Sequence, residues 1–120
     1  MLPPGRAVEP AEGRAIHCLD DGRTVVWQPE AACGPIACHA EPLDQEPRES
    51  LVTRFGLPRS RVPFACAWSR AQVAAAVAGV PVRSQLQRDA RHAGAPLVKT
   101  VTFVRPELGL VVSLGMLPGA

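Results

Sequence analysis

Glycine and proline residues divide this chain into short segments, and this division limits the folds open to it more than any other feature. The 120 residues include 13 prolines and 10 glycines, several of which stand between apolar runs in combinations that form turns or end helices. Because 47% of the residues are apolar and 20% are charged, the composition excludes a highly charged disordered chain. We expect one domain over residues 14–117, preceded by a disordered arm over residues 1–13.

Two pairs of short apolar runs are predicted to form β-hairpins. The runs 14–19 and 24–28 flank Asp20-Asp21-Gly22-Arg23, and Asp-Gly is among the stronger hairpin signals. The runs 97–104 and 108–116 carry apolar residues in phase and meet at Arg105-Pro106-Glu107. This pattern predicts a second hairpin.

Capping residues predict two consecutive helices before the second hairpin. The sequence Ser69-Arg70-Ala71-Gln72 fits a capping box that opens a helix over residues 70–78. Gly79 is placed to end this helix, because it adopts a left-handed conformation without a Cβ clash. Pro81 suits the first turn of a second helix that runs to about residue 92.

The segment between the first hairpin and the helices is predicted to be mostly irregular. Residues 29–50 hold four prolines, two of the four cysteines and five acidic residues, so we expect an irregular acidic loop there. Residues 51–55 suit a single helical turn that ends at Gly56. The run 62–68 alternates large and small side chains, which predicts a strand with one face in the core.

Together these segments predict an α+β fold on a mostly antiparallel sheet. Its order is an N-terminal β-hairpin, a long irregular loop that carries cysteines and prolines, a strand, two consecutive helices and a C-terminal β-hairpin.

The charges are divided between the two halves of the chain. Residues 1–50 contain nine acidic residues and four arginines, whereas residues 51–120 contain two acidic residues, eight arginines and one lysine. Much of the positive charge falls on one side of the second predicted helix, whose apolar residues occupy the other side. Two helices joined at Gly79 and followed by a hairpin also have the element order of a winged helix-turn-helix.

We therefore predict a non-enzymatic accessory or regulatory binding domain that contacts a polyanion, either nucleic acid or an acidic protein surface. The predicted contact residues are Arg83, Gln87, Arg88, Arg91, Lys99 and Arg105. We also expect the acidic loop to fold back and cover this basic surface. The alternative is an ordinary amphipathic helix whose solvated face uses arginine because lysine is rare in this composition. This alternative is supported by Gln85, which stands where helix-turn-helix sequences usually have an apolar residue.

A rival prediction is a small zinc or thiol protein that uses Cys33, Cys38 and His39. The spacing of the two cysteines is near that of structural zinc sites. A complete site would need further ligands from His17, Cys18, Cys66 or His92, of which His17 and Cys18 point to opposite faces of a strand. The alternative is that all four cysteines are free thiols.

No sequence motif predicts catalysis, because the usual nucleophile, phosphate-loop and metalloprotease patterns are absent. We expect no catalytic residues. No apolar run approaches the length of a membrane span, so we expect no membrane partner and a cytoplasmic protein with reduced cysteines. A third alternative is a reading frame without a selected function, because codon bias alone yields sequences rich in Ala, Arg and Pro.

Overall fold

The computed structural model describes residues 14–29, 34–91 and 98–117. Within them the predicted α+β class and both predicted hairpins are confirmed. The predicted arm over residues 1–13 lies outside the described residues. The elements follow in the order β1 (Ala15–Cys18), β2 (Thr24–Trp27), β3 (Ile36–Pro42), α1 (Glu49–Phe55), α2 (Arg61–Ala78), α3 (Val82–Arg91), β4 (Lys99–Arg105), a 3₁₀ turn (Pro106–Leu108) and β5 (Leu110–Met116).

The N-terminal hairpin forms around the turn that its sequence predicts. β1 pairs antiparallel with β2, and Ala15 lies opposite Trp27. Gly22 adopts a φ of 92°, a conformation that costs a residue with a Cβ about 1 kcal/mol or more. Asp21 closes the turn, because its carboxylate accepts hydrogen bonds from the main-chain N–H and the guanidinium of Arg23.

The second sheet has β5 at its centre, with β3 and β4 antiparallel on either side. One face packs against the N-terminal hairpin, where Ile36 and Cys38 of β3 contact Ala15 of β1. The opposite face packs against α2, through a buried cluster of Ala37, Val73, Ala74, Val77 and Val98. The sheet therefore lies between the hairpin and α2.

The prediction of an irregular loop over residues 29–50 is wrong for much of that segment, because Ile36–Pro42 form β3 and α1 begins at Glu49. Residues 36–40 are all buried, and a strand covered on both faces does not show the apolar-polar alternation that marks a half-exposed strand. Alanine, which occurs twice in β3, is also depleted in strands. Pairing with β5 along seven residue pairs fixes the extended conformation.

The predicted strand over residues 62–68 and the predicted capping box at Ser69 are also wrong, because both lie within the 18-residue helix α2. Phe64 and Trp68 are four residues apart. An even spacing places both side chains on one face of a strand, but a spacing of four also places them on one face of a helix. Pro63 is the third residue of α2, where the missing N–H has no partner within the helix to lose.

α2 has neighbours on both sides. Away from the sheet, it packs against α1 and α3 through a buried cluster of Val52, Phe64, Trp68, Ala71 and Leu86. Because α2 buries side chains on more than one side, its apolar residues do not form a single stripe, so no amphipathic period marks its beginning. Gly79 ends α2 with a φ of 71°, as predicted.

α1 and α3 also correspond to predicted helical segments. The predicted turn over residues 51–55 forms most of α1, and Gly56 ends it with a φ of 72°. In α3, Leu86 is buried and Val82 is half-buried, as expected for its packing face, whereas Ala90 is exposed. No helix in the described ranges is long and apolar enough to cross a membrane.

Candidate functional site

The basic side of α3 carries three of the predicted contact residues in one row. Arg83, Gln87 and Arg91 are spaced by four residues, so they lie along one face of the helix, and all three are exposed. Arg88 is half-buried and lies off this row. Of the predicted contact residues on α3, the structure therefore brings three together on an open surface.

Lys99 and Arg105 do not extend this surface. They stand at opposite ends of the seven-residue strand β4, roughly 20 Å apart at the rise of an extended strand. Arg105 pairs with Glu107 at 3.0 Å. The main packing partners of α3 are α1 and α2, whereas β4 packs on β5 and α2, so the hairpin does not stand beside α3 as a wing would.

A groove lies between α1 and α3, with Trp68 of α2 among its lining residues. Its volume is about 260 Å³, and it is lined by Ser50, Leu51, Arg54, Phe55, Trp68, Val82, Arg83 and Leu86. We call this feature the α1–α3 groove. Five of its lining residues are apolar, and the two charged ones are both arginines, one from each of the flanking helices.

Three arginines in or beside the α1–α3 groove have no carboxylate partner among the described residues. Arg48, Arg54 and Arg83 form no ion pair with any described residue, whereas five other arginines each have a carboxylate oxygen within 4.0 Å. Instead, the guanidinium of Arg48 lies 5.2 Å from the ring centre of Trp68, and that of Arg54 lies 5.8 Å from the ring centre of Phe55. Positive charge is therefore concentrated at the groove without local neutralisation.

Two acidic residues of segment 29–50 pair with arginines outside α3, which argues against the expected cover of the basic surface. Glu49 pairs with Arg59 at 2.9 Å, and Glu46 pairs with Arg61. Both arginines lie at the beginning of α2 or just before it, and not on α3. The ion pair that the structure shows on α3 joins Asp89 of α3 to Arg70 of α2, with 3.5 Å between the two groups.

A second polar cluster is buried where the hairpin meets the edge of β3. The rings of His17 in β1 and His39 in β3 stack with their centres 4.0 Å apart, and both residues are almost fully buried. His39 Nε2 bonds the carboxylate of Glu41, which also accepts a bond from Gln45 at 2.9 Å. His17 Nδ1 accepts a hydrogen bond from the N–H of Ala40 at 3.0 Å.

This histidine cluster fastens the hairpin to the open edge of β3. The bond from Ala40 occupies a strand-edge N–H that would otherwise be free to pair with another chain. Burial by itself would raise the pKa of Glu41, but the hydrogen bonds from His39 and Gln45 and the nearby histidine charge outweigh it and hold that pKa below its ordinary value. The sequence predicted His17 and His39 as candidate metal ligands but not this cluster, because the cluster needs the strand β3, which was not predicted.

The two described residues of the zinc hypothesis, Cys38 and His39, are not brought together. Cys33 lies outside the described residues, and Cys38 and His39 are neighbours on β3, so their side chains point to opposite faces. Cys38 donates to the carbonyl oxygen of Val25 at 3.7 Å, and burial raises the pKa of its thiol to about 11. Among the described residues, no three His, Cys, Asp or Glu side chains are placed to hold a metal ion.

The described cysteines support the prediction that the cysteines are free thiols. Cys18, Cys38 and Cys66 are free, and burial raises the pKa of Cys66, which lies in α2 rather than in the predicted strand. A raised pKa keeps a thiol protonated and therefore a poor nucleophile and metal ligand.

Comparisons with protein-family models, curated proteins and solved structures find no match to this chain. In the part of the chain that the structure describes, the α1–α3 groove combines an apolar lining with arginines that have no carboxylate partner there.

Proposed function

We propose that the protein is a non-enzymatic binding domain that takes an acidic protein segment at the surface formed by α1 and α3. The observation that carries this proposal is that Arg54 and Arg83 in the α1–α3 groove, and Arg48 stacked on its lining residue Trp68, pair with no carboxylate of the described residues. Arg91 extends the positive charge along the exposed side of α3. A cytoplasmic location stays a prediction.

An acidic protein fits this surface better than nucleic acid for two reasons. The arginines flank an apolar groove, whereas proteins that follow a phosphate backbone usually present a continuous basic track. Trp68 is only 6% exposed, so it offers no open ring on which a base could stack. An apolar groove between charged residues instead suits a protein partner, whose interface combines an apolar centre with a polar rim.

The test measures binding of a fluorescein-labelled oligoglutamate by fluorescence anisotropy at low and physiological salt. Replacing Arg54 and Arg83 together with alanine removes two partners of the carboxylates, so the affinity should fall at least about tenfold. The matched control replaces Arg14 and Lys99 with alanine, which removes the same net charge from two exposed residues that do not line the groove. We expect the control to bind within about twofold of the unchanged protein, because long-range attraction between exposed charges is screened at physiological salt.

Three results would contradict the proposal. The first is no salt-sensitive binding of oligoglutamate. The second is an equal loss of affinity in the groove variant and in the control, which would show that only net charge matters. The third is tighter binding of an oligonucleotide with the same number of charges, which would assign the surface to nucleic acid.

A further inference from the structure

We propose that the α1–α3 groove is a socket for one large apolar side chain of the acidic partner, such as leucine or phenylalanine, with carboxylates on both sides of it. This inference rests on the proposed function and specifies the partner as an acidic segment with an apolar anchor. The anchor would enter the groove while its flanking carboxylates bond the arginines on the two walls.

The arrangement of the two walls supports a single anchor. Leu51 and Phe55 are four residues apart on α1, and Val82 and Leu86 are four residues apart on α3, so each pair forms a row on its helix. All four line the groove together with Trp68. Leu86 and Trp68 are buried, whereas the other three are only partly covered and pack at the margin of the buried cluster. An inserted apolar side chain would cover that remaining surface.

The groove has room for one large side chain. Its volume of about 260 Å³ lies near the lower end of the roughly 300–1,000 Å³ that is typical of ligand pockets. Peptide recognition by helix grooves commonly uses apolar side chains as anchors and surrounding charges for orientation. The groove meets both requirements with residues from two short helices.

The charges of the groove specify what flanks the anchor. Arg54 stands on α1 and Arg83 on α3, so one guanidinium lies on each wall. Arg48, just before α1, stacks on Trp68. No carboxylate of the described residues pairs with any of the three, so carboxylates of the partner complement them. Guanidinium groups bond carboxylates with two parallel hydrogen bonds, which would fix the orientation of the anchor.

The test uses two synthetic peptides of equal charge, each with about four glutamates on either side of one central residue. One peptide has leucine at the centre and the other has glutamine. Binding is followed by Trp68 fluorescence in a Trp27→Phe background, because Trp68 lines the groove. We expect the leucine peptide to bind at least about tenfold more tightly, as for burial of one large apolar side chain.

A filled groove provides the matched variant. Ser50 is exposed and lines the groove, so Ser50→Phe places a ring in it without removing a charge or a buried contact. Ser84→Phe is the control, because Ser84 is an exposed residue of α3 that does not line the groove. Ser50→Phe should reduce the preference for leucine to less than about twofold, whereas Ser84→Phe should leave it unchanged.

The outcomes separate this inference from the proposed function. If both peptides bind equally and both lose affinity in the Arg54→Ala/Arg83→Ala variant, the socket is refuted while the acidic-partner function stands. If neither peptide binds, the proposed function itself fails. A leucine preference that survives Ser50→Phe would place the anchor elsewhere and overturn the socket. Should Ser50→Phe lower the melting temperature, the affinities of the Trp27→Phe protein for the two peptides decide, and equal affinity for both refutes the socket.

Discussion

Replacing Gly115 with alanine tests the contact that seats α2 on the sheet. A Cβ at this position would lie less than 3.0 Å from Cγ1 of Val73, and within 3.5 Å of methyl groups on Val77 and Val98. Carbon atoms make their best contact at about 3.5–4.0 Å, so the overlap with Val73 exceeds about 0.5 Å. Val73 is 1% exposed and β-branched, so it has little freedom to rotate away.

The expected cost of Gly115→Ala follows from this overlap. Overpacking a core costs about 1–3 kcal/mol, and an overlap with a stiff, enclosed side chain lies toward the upper end. Replacing a strand glycine recovers about 0.5–1 kcal/mol of backbone entropy. We therefore expect a net loss of about 2 kcal/mol in the free energy of unfolding, or about 8 °C in melting temperature for a chain of this size.

The assay is urea unfolding of Gly115→Ala, Val73→Ala and the double variant. Val73→Ala alone removes two buried methyl groups and should cost about 2 kcal/mol. In the double variant the new Cβ enters the space that Val73 vacates, so the combined loss should be at least about 1 kcal/mol smaller than the sum of the single losses. Additive losses would refute the reasoning, because they would show that the two side chains do not compete for the same space.

Three further predictions concern the histidine cluster, a buried thiol and a helix end. Because the pKa of Glu41 is lowered in the folded protein from an ordinary value of 4.5, its stabilising effect is fully present above about pH 4.5 and is lost as the pH falls through the folded pKa. Glu41→Gln should therefore lower the free energy of unfolding by about 1.5 kcal/mol or more at pH 7. Urea unfolding at several pH values should show this difference shrinking in acid. A difference that stays constant with pH would contradict the role assigned to Glu41. Cys38, whose thiol pKa is about 11, should react with iodoacetamide only on unfolding, and peptide mapping that finds it modified in the native protein would exclude the buried position. Gly79→Ala should lower the free energy of unfolding by about 1–2 kcal/mol because the φ of 71° is unfavourable for alanine, whereas an unchanged melting curve would mean that the helix end rearranges.

Local signals predicted the elements whose ends are marked by turn residues. Both hairpins and the end of α2 at Gly79 depend on residues within a few positions of each other, so the local sequence was enough to predict them. β3 was missed because it is buried on both faces and contains alanine and histidine, which leaves no alternating pattern. The beginning of α2 was missed because the spacing of Phe64 and Trp68 fits both a strand and a helix.

The candidate site was predicted only in part, for a related reason. The row of Arg83, Gln87 and Arg91 follows from helical spacing, so the sequence predicted it. The apolar lining of the α1–α3 groove needs α1 and α3 side by side over Trp68, and the sequence analysis placed Trp68 on a strand. Arg48 and Arg54 were not predicted, because nothing in their local sequence distinguishes them from the arginines that pair with carboxylates.

By itself, the sequence determined where this chain turns and which side of α3 is basic, because turn geometry and helical spacing act over a few neighbouring residues. The tertiary structure decided that Ile36–Pro42 is a strand, that α2 begins at Arg61, and that His17 stacks on His39. These features depend on burial and on pairing between segments far apart in the chain, such as β3 with β5. The free energy that fixes them comes from surfaces that meet only when the chain has folded.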